Sequence, residues 1–293
     1  MVSQTLRPLI IAGATGSGKS KLALKLALKF NGEIVCADSR QCYKYMAIGS
    51  AAPSLQELAL VPHHGYGILD PSIQKMDVGF FINFTNQIIK DIQARKKRAI
   101  IVGGSGLYLR ALRYGIIDLP QKDETLRLKL DMECENFGLK AMYEKLYLID
   151  AESAKNIMPT DKFRILRALE IFLLTQKKPS NLRTNFSETQ VKLKAHWFLL
   201  KTDKINLYQN LEKRIITMFD SGFLEEAVSL RKRLPTNHWA LNTMGFREAL
   251  LYADKKISFE QALNLILISH RQYAKRQATW FKKENFYLNF NRV

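Results

Sequence analysis

The octapeptide Gly13-Ala14-Thr15-Gly16-Ser17-Gly18-Lys19-Ser20 matches the pattern G-x-x-x-x-G-K-[ST]. Its glycines let backbone N–H groups turn inward around an anion, and the helix that follows adds partial positive charge. Lys19 would reach the terminal phosphate of a diphosphate or triphosphate, and Ser20 a magnesium ion. A second chemical group follows the short apolar run Glu33-Ile34-Val35-Cys36-Ala37, where Asp38 opens the stretch Asp38-Ser39-Arg40-Gln41-Cys42-Tyr43. A carboxylate there could hold magnesium through water, accept a proton from a substrate, or only cap a turn. A third group, Ser105, stands in the turn Gly103-Gly104-Ser105-Gly106 after Ala99-Ile100-Ile101-Val102. That strand lacks the terminal aspartate with which nucleotide hydrolases hold magnesium. A diphosphate leaving group therefore fits the loop as well as a nucleotide does.

These groups need a scaffold. Leu9-Ile10-Ile11-Ala12, 33–37, 99–102 and His196-Trp197-Phe198-Leu199-Leu200 read as buried strands. Helical spacing follows the glycine loop through residue 30, recurs over 78–94 with Phe81, Phe84, Ile88 and Ile92 on one face, and returns over 205–221, 224–234 and 263–283. Strand, glycine turn and helix in succession predict an α/β fold: a P-loop NTPase-like core with a parallel sheet flanked by helices. Residues 44–77 look irregular; the pair His63-His64 there lacks carboxylates or cysteines at ligand spacing and reads as loop packing. Strand-like runs vanish between about 119 and 189, and helices over 124–136, 139–149, 151–156 and 162–175 are expected instead. This predicts an all-helical insertion at 119–189 in a core made of 1–118 and 190–293. Arg164 and Arg167 lie one turn apart, so they could straddle a phosphate backbone or pair with nearby carboxylates.

Composition narrows the partner. Lys and Arg number 45 against 27 Asp and Glu, a formal charge of +18, which favours a polyanion such as nucleic acid. The last long helix carries Arg271, Lys275 and Arg276 with Gln272, Gln277, Tyr273 and Trp280 interleaved, a pattern suited to RNA. The three cysteines, Cys36, Cys42 and Cys134, lack metal spacing and suit a reducing compartment. Neither a signal peptide nor a membrane-length apolar run is found, so a cytoplasmic location without membrane association is expected.

Taken in order, these stretches resemble the tRNA dimethylallyltransferases, or tRNA isopentenyltransferases. The resemblance rests on the glycine loop, Asp38-Ser39 with Gln41 and Tyr43, and Pro62-His63 with Asp70-Pro71. It continues through Val102 to Tyr108, Arg164 to Glu170, and Met244-Gly245-Phe246, and ends with Arg271-Gln-Tyr-Ala-Lys-Arg-Gln-Ala-Thr-Trp280. Asp-Ser-x-Gln-x-Tyr combined with Arg-Gln-x-x-Lys-Arg-Gln-x-x-Trp is its most specific part.

The resemblance implies transfer of a dimethylallyl group from dimethylallyl diphosphate to N6 of adenine 37 in a tRNA anticodon stem-loop, with magnesium as cofactor and a monomeric enzyme. It implies Asp38 as general base, with Ser105 and Arg214 at the reacting centre. Gly13 through Ser20 would hold the diphosphate. Ser39, Arg40 and Gln41, together with Asp38 and Ser105, would touch the flipped base and its neighbours. Arg127, Phe163, Arg164 and Arg167 would grip the stem-loop, and Lys275, Arg276 and Gln277 would line the RNA groove. Three positions depart from the pattern: Asn210 stands where the family often has arginine, Arg40 where a small residue is common, and Ser105 where threonine is usual, keeping the hydroxyl without the methyl. Three other readings make different demands. A free-nucleotide prenyltransferase would need none of the basic helices, a small-molecule kinase would need a magnesium aspartate, and a non-catalytic RNA-binding module would need neither the loop nor Asp38.

Overall fold

A computed structural model of the chain describes residues 6–116, 119–183, 192–284 and 288–291. The chain divides into two compact units, Met1–Arg113 with Leu193–Val293, and Tyr114–Lys192. The second unit takes a few more residues at each end than the helical pattern of the sequence suggested.

The first unit is built on a six-stranded parallel sheet in the order β3-β2-β4-β1-β5-β6. Its strands are β1 (Leu9–Gly13), β2 (Gly32–Cys36), β3 (His63–His64), β4 (Arg98–Gly103), β5 (His196–Lys201) and β6 (Leu288–Asn291). β1, β2 and most of β4 are buried residue for residue. A parallel strand covered on both faces must be apolar throughout, which is why these segments do not alternate. The helices of this unit are α1 (Lys19–Lys29), α2 (Ala47–Ser50), α3 (Leu55–Leu60), α4 (Val78–Ala94) and α5 (Gly106–Tyr114). After the second unit follow α10 (Lys204–Asp220), α11 (Phe223–Arg233), α12 (Phe246–Ala253) and α13 (Phe259–Lys282).

The second unit holds α6 (Glu124–Ile149), α7 (Ala151–Lys155), α8 (Lys162–Thr175) and α9 (Pro179–Arg183). Gly138, with φ 82° and ψ 157°, breaks α6 into two arms. The arms fold together around Leu130, Cys134, Met142 and Leu146, which pack with Ile165 and Leu169 of α8. Lys145 on one arm reaches Glu133 on the other at 2.6 Å. A glycine is the residue that takes this left-handed conformation without steric cost.

The pairing register sets three strand ends level. Ala12 lies beside Gly103, and Cys36 beside Val102. The glycine loop, Asp38 and Ser105 therefore leave the sheet at one edge, the carboxyl edge where open α/β sheets bind ligands. Gly103 is needed for this closeness, because a Cβ there would lie 2.0 Å from the Ala37 carbonyl oxygen. Backbone cannot step aside as a flexible side chain can. Gly103→Ala is expected to cost about 3 kcal/mol or more, seen as a fall in melting temperature of about 6–12 °C; an unchanged melting curve would contradict this packing.

The far end of the sheet is tied by charge. Glu33, 2% exposed, receives His64 Nε2 and Arg95 at 2.7 Å and Lys97 at 3.0 Å. Burial pushes its carboxyl up, but the hydrogen bonds from Arg95, His64 and Lys97 outweigh that and hold it at about 2. His64 is thus a structural residue, in line with its sequence reading. Among the described residues no cluster of three or more His, Cys, Asp or Glu could hold a metal ion. Cys36, Cys42 and Cys134 are free and buried. No described helix is long and apolar enough to cross a membrane.

Candidate active site

Gly16 (φ 79°) and Gly18 (φ 86°) take left-handed backbone and fold residues 13–18 back on themselves, with Ser17 N donating to Ala14 O at 3.1 Å. Gly18 then caps α1 without a side-chain bond, and the first helical bond runs from Leu22 N to Gly18 O. The N–H groups of Lys19, Ser20 and Lys21 precede that bond, so no intrahelical carbonyl serves them. An anion could supply what they lack. The Ser20 hydroxyl is exposed and makes no hydrogen bond to any described residue.

Two cations face this cradle. Lys19 Nζ lies 3.4 Å from Ala14 O. Burial lowers its ammonium to about 8; the positive charge of Arg214 pushes the same way, and the carboxylate of Asp38 opposes both. Arg214, on α10, donates to Thr15 Oγ1 and to Ser50 O, each at 3.2 Å. Asn210, one turn earlier, donates to Gly16 O at 3.0 Å. The residue that departs from the family pattern thus braces the loop as a neutral donor.

Asp38 follows β2 and folds into a tight turn, its Oδ1 accepting Arg40 N at 2.9 Å. Ser105 Oγ accepts Ser39 N at 3.0 Å, and Ser105 N donates to Ala37 O at 3.3 Å. Asp38 and Ser105 are therefore neighbours. The negative charge of Asp38 reaches several acids around it. Burial first, and this carboxylate second, raise Cys42 and Tyr273 to about 12 and Cys36 well above its ordinary value. These two thiols and this phenol thus stay protonated at neutral pH.

A cavity of about 440 Å³ opens beside the loop, lined among others by Lys19, Ser20, Arg214, Gln41, His63 and Tyr66. Asp38 is not in its wall. Gln41 is, and Gln41 Oε1 accepts the Cys36 thiol, which also reaches Asp38 O, both at 3.8 Å.

Three side chains expected at the RNA are bonded within the protein itself. Gln41 does not offer its amide to a base: Nε2 donates to Ser50 O and Ala51 O at 3.1 and 2.6 Å, and Oε1 is taken by Cys36. Gln277 is 6% exposed and spends its amide inside the core. Arg167 is turned inward, donating to Pro120 O at 2.8 Å and pairing with the buried Glu170 at 2.8 Å. Helix spacing and motif position do not show where a long polar side chain ends.

Other expected contacts stay at the surface. Arg40, Lys275 and Arg276 are exposed in the first unit, and Phe163 and Arg164 in the second. Arg127 is partly exposed, lying 5.9 Å from the Phe163 ring centre while Nε approaches Glu170 at 3.7 Å. Trp239 was missed. Its ring carries the guanidinium of Arg40 at 5.2 Å and the ammonium of Lys75 at 5.7 Å. It lies outside every motif, so only its aromatic type amid basic residues could have flagged it.

A parallel α/β sheet with this glycine loop at its carboxyl edge defines a phosphate-loop protein. The IPP transferase family model matches residues 41–284, and the isopentenyl transferase model matches residues 7–64. The chain belongs to the IPP transferase family. It is 38% identical to tRNA dimethylallyltransferase 1 of Citrifermentans bemidjiense, over 96% of this chain and 90% of that protein. It is also 38% identical to the tRNA dimethylallyltransferase of Francisella philomiragia, over 97% and 92%. Among solved structures, the tRNA isopentenylpyrophosphate transferase of Bacillus halodurans matches with TM-score 0.68 at 31% identity, over 97% of this chain and 89% of that one. A eukaryotic dimethylallyltransferase captured acting on tRNA matches with TM-score 0.82 at 29% identity, over 98% and 74%.

Proposed function

We propose that this chain transfers the dimethylallyl group of dimethylallyl diphosphate to N6 of adenine 37 in a tRNA anticodon loop and releases diphosphate. The observation that carries this reading is that the loop bearing Lys19, braced by Arg214, leaves the sheet at the same edge as Asp38 and Ser105, a base and an anion cradle side by side. The bond from the allylic carbon to the diphosphate oxygen breaks as a bond to N6 forms. The N6 proton passes to the Asp38 carboxylate. Charge developing on the departing diphosphate meets Lys19, Arg214 and the open N–H groups of α1. Adenine amine is a weak nucleophile, so holding it in line matters as much as taking its proton. The adenine must leave its stack to arrive there, and Ser39 and Ser105 line the turn beside Asp38.

Magnesium fits this cradle. Mg²⁺ takes few protein ligands and binds largely through water and phosphate oxygens, and the uncommitted Ser20 hydroxyl beside Lys19 offers one such ligand. When bound, the ion would neutralise diphosphate charge. A cytoplasmic monomer meeting a soluble tRNA completes the reading.

The test supplies labelled dimethylallyl diphosphate and magnesium with either an anticodon stem-loop bearing adenine 37 or free AMP. Label in the stem-loop supports the reading, whereas label in AMP alone replaces it with free-nucleotide chemistry. The exposed Arg40, Lys275 and Arg276 favour RNA. Stem-loop affinity is expected to fall about a hundredfold as salt rises from roughly 50 to roughly 200 mM, for on the order of four phosphate contacts. A flat response would remove these cations from the interface.

A further inference from the structure

Gln277 lies on α13 between exposed Lys275 and Arg276 on one side and the sheet edge on the other. Its Oε1 accepts Thr15 N at 2.8 Å, and its Nε2 donates to Gly104 O at 2.9 Å. One amide thereby bridges the phosphate loop and the glycine turn that carries Ser105. Both bonds are buried, and they span 262 and 173 residues of sequence. The turn is shaped to admit this amide, since a Cβ on Gly104 would lie 2.2 Å from Gln277 Nε2. Trp280, one turn further along α13, fills the matching space at Gly106, where a Cβ would lie 2.2 Å from its Nε1.

We propose that Gln277 is a positioning residue of the diphosphate site, fastening the phosphate loop to the Ser105 turn, and does not contact RNA. The proposal rests on the functional reading above. Two facts favour it. The Thr15 N–H is committed to Gln277, which fixes the orientation of the peptide entering the cradle. Thr15 also holds Arg214 through its hydroxyl, so the same clasp extends to the second cation. A buried amide with its oxygen and one N–H both bonded is costly to disturb, and at 6% exposure it presents little surface to a nucleotide. The outward cations of the same helix are left to the RNA.

The experiment compares Gln277→Leu, Gln277→Glu and Gly104→Ala in the full chain. Leucine removes both bonds at similar volume. Glutamate keeps the acceptor and loses the donor. Alanine at 104 displaces the amide without altering it. Two affinities are read for each: inorganic diphosphate with magnesium by calorimetry, and the anticodon stem-loop by fluorescence anisotropy. Loss of two buried neutral hydrogen bonds predicts diphosphate binding weaker by about tenfold or more for Gln277→Leu, in the same direction for Gly104→Ala, with RNA affinity within about twofold of wild type. The KM for dimethylallyl diphosphate should follow the diphosphate affinity. RNA affinity falling tenfold with diphosphate binding intact would overturn the proposal and make Gln277 an RNA contact. A parallel fall in both, or a change in neither, would overturn it too. Should Gln277→Leu fail to fold, Gly104→Ala decides alone. Wild-type label transfer is measured separately, so failure of the functional reading shows there and not in these affinities.

Discussion

Asp38→Ala is expected to remove most turnover, on the order of 10²- to 10⁴-fold in single-turnover rate, while stem-loop affinity stays nearly intact. Asp38 holds the Arg40 backbone through Oδ1, so alanine deletes both a proton acceptor and a turn bond. Asp38→Asn separates the two. Its amide oxygen can still accept Arg40 N, yet the group can no longer take a proton. The asparagine variant should therefore be as slow as the alanine variant while keeping the Ser39–Ser105 contact. A rate restored by asparagine would show that the carboxylate shapes the loop and does no proton transfer. An equal loss of rate and RNA affinity in both variants would have the same meaning.

The second large effect falls on the leaving group. Lys19→Ala is expected to lower turnover by about 10²- to 10³-fold, the usual loss when one group stabilising developing charge is removed. A pH signature accompanies it. Burial and the nearby Arg214 hold the Lys19 ammonium at about 8 in the free protein, against the pull of Asp38. A lowered lysine is charged below that value and neutral above it. Diphosphate favours the charged form, so binding above about pH 8 must first return the proton. The KM for dimethylallyl diphosphate should be flat below pH 8 and rise about tenfold per unit above it. Lys19→Arg, always charged, should lose the inflection whatever its rate. A wild-type KM level through pH 9.5 would place the ammonium elsewhere.

Local patterns made the chemistry legible in the sequence, whereas long-range pairing hid its supports. The glycine loop, Asp38 and Ser105 each follow an apolar run, and a parallel sheet brings such run ends together. The break in α6 was readable because Phe137-Gly138 interrupts two amphipathic arms. The irregular reading of 44–77 missed α2, α3 and β3, which are too short for periodicity to register. β6 and α12 were missed, and α13 begins at Phe259, where Ser258 caps it, earlier than the 263 expected. The internal bonds of Gln41, Gln277 and Arg167 were hidden for one reason. Their partners are carbonyls and carboxylates whose proximity comes from tertiary folding, and a side chain's type states what it can bond but not with what.

The strand order has a consequence for how the molecule is made. β1 lies between β4 and β5, and Leu9 pairs with His196 across roughly two hundred residues. The ribosome therefore releases the first strand long before one of its two neighbours exists. Closing so long a loop costs only about 2 kcal/mol more than closing one a tenth its length. The helical unit between them shortens the effective loop if it collapses first, which its local contacts permit. The delay leaves the open edge of a nascent parallel sheet waiting through much of synthesis, a state prone to misassociation. The phosphate loop hangs from that same strand, so the anion cradle is born early and becomes braced only when α10 and α13 arrive.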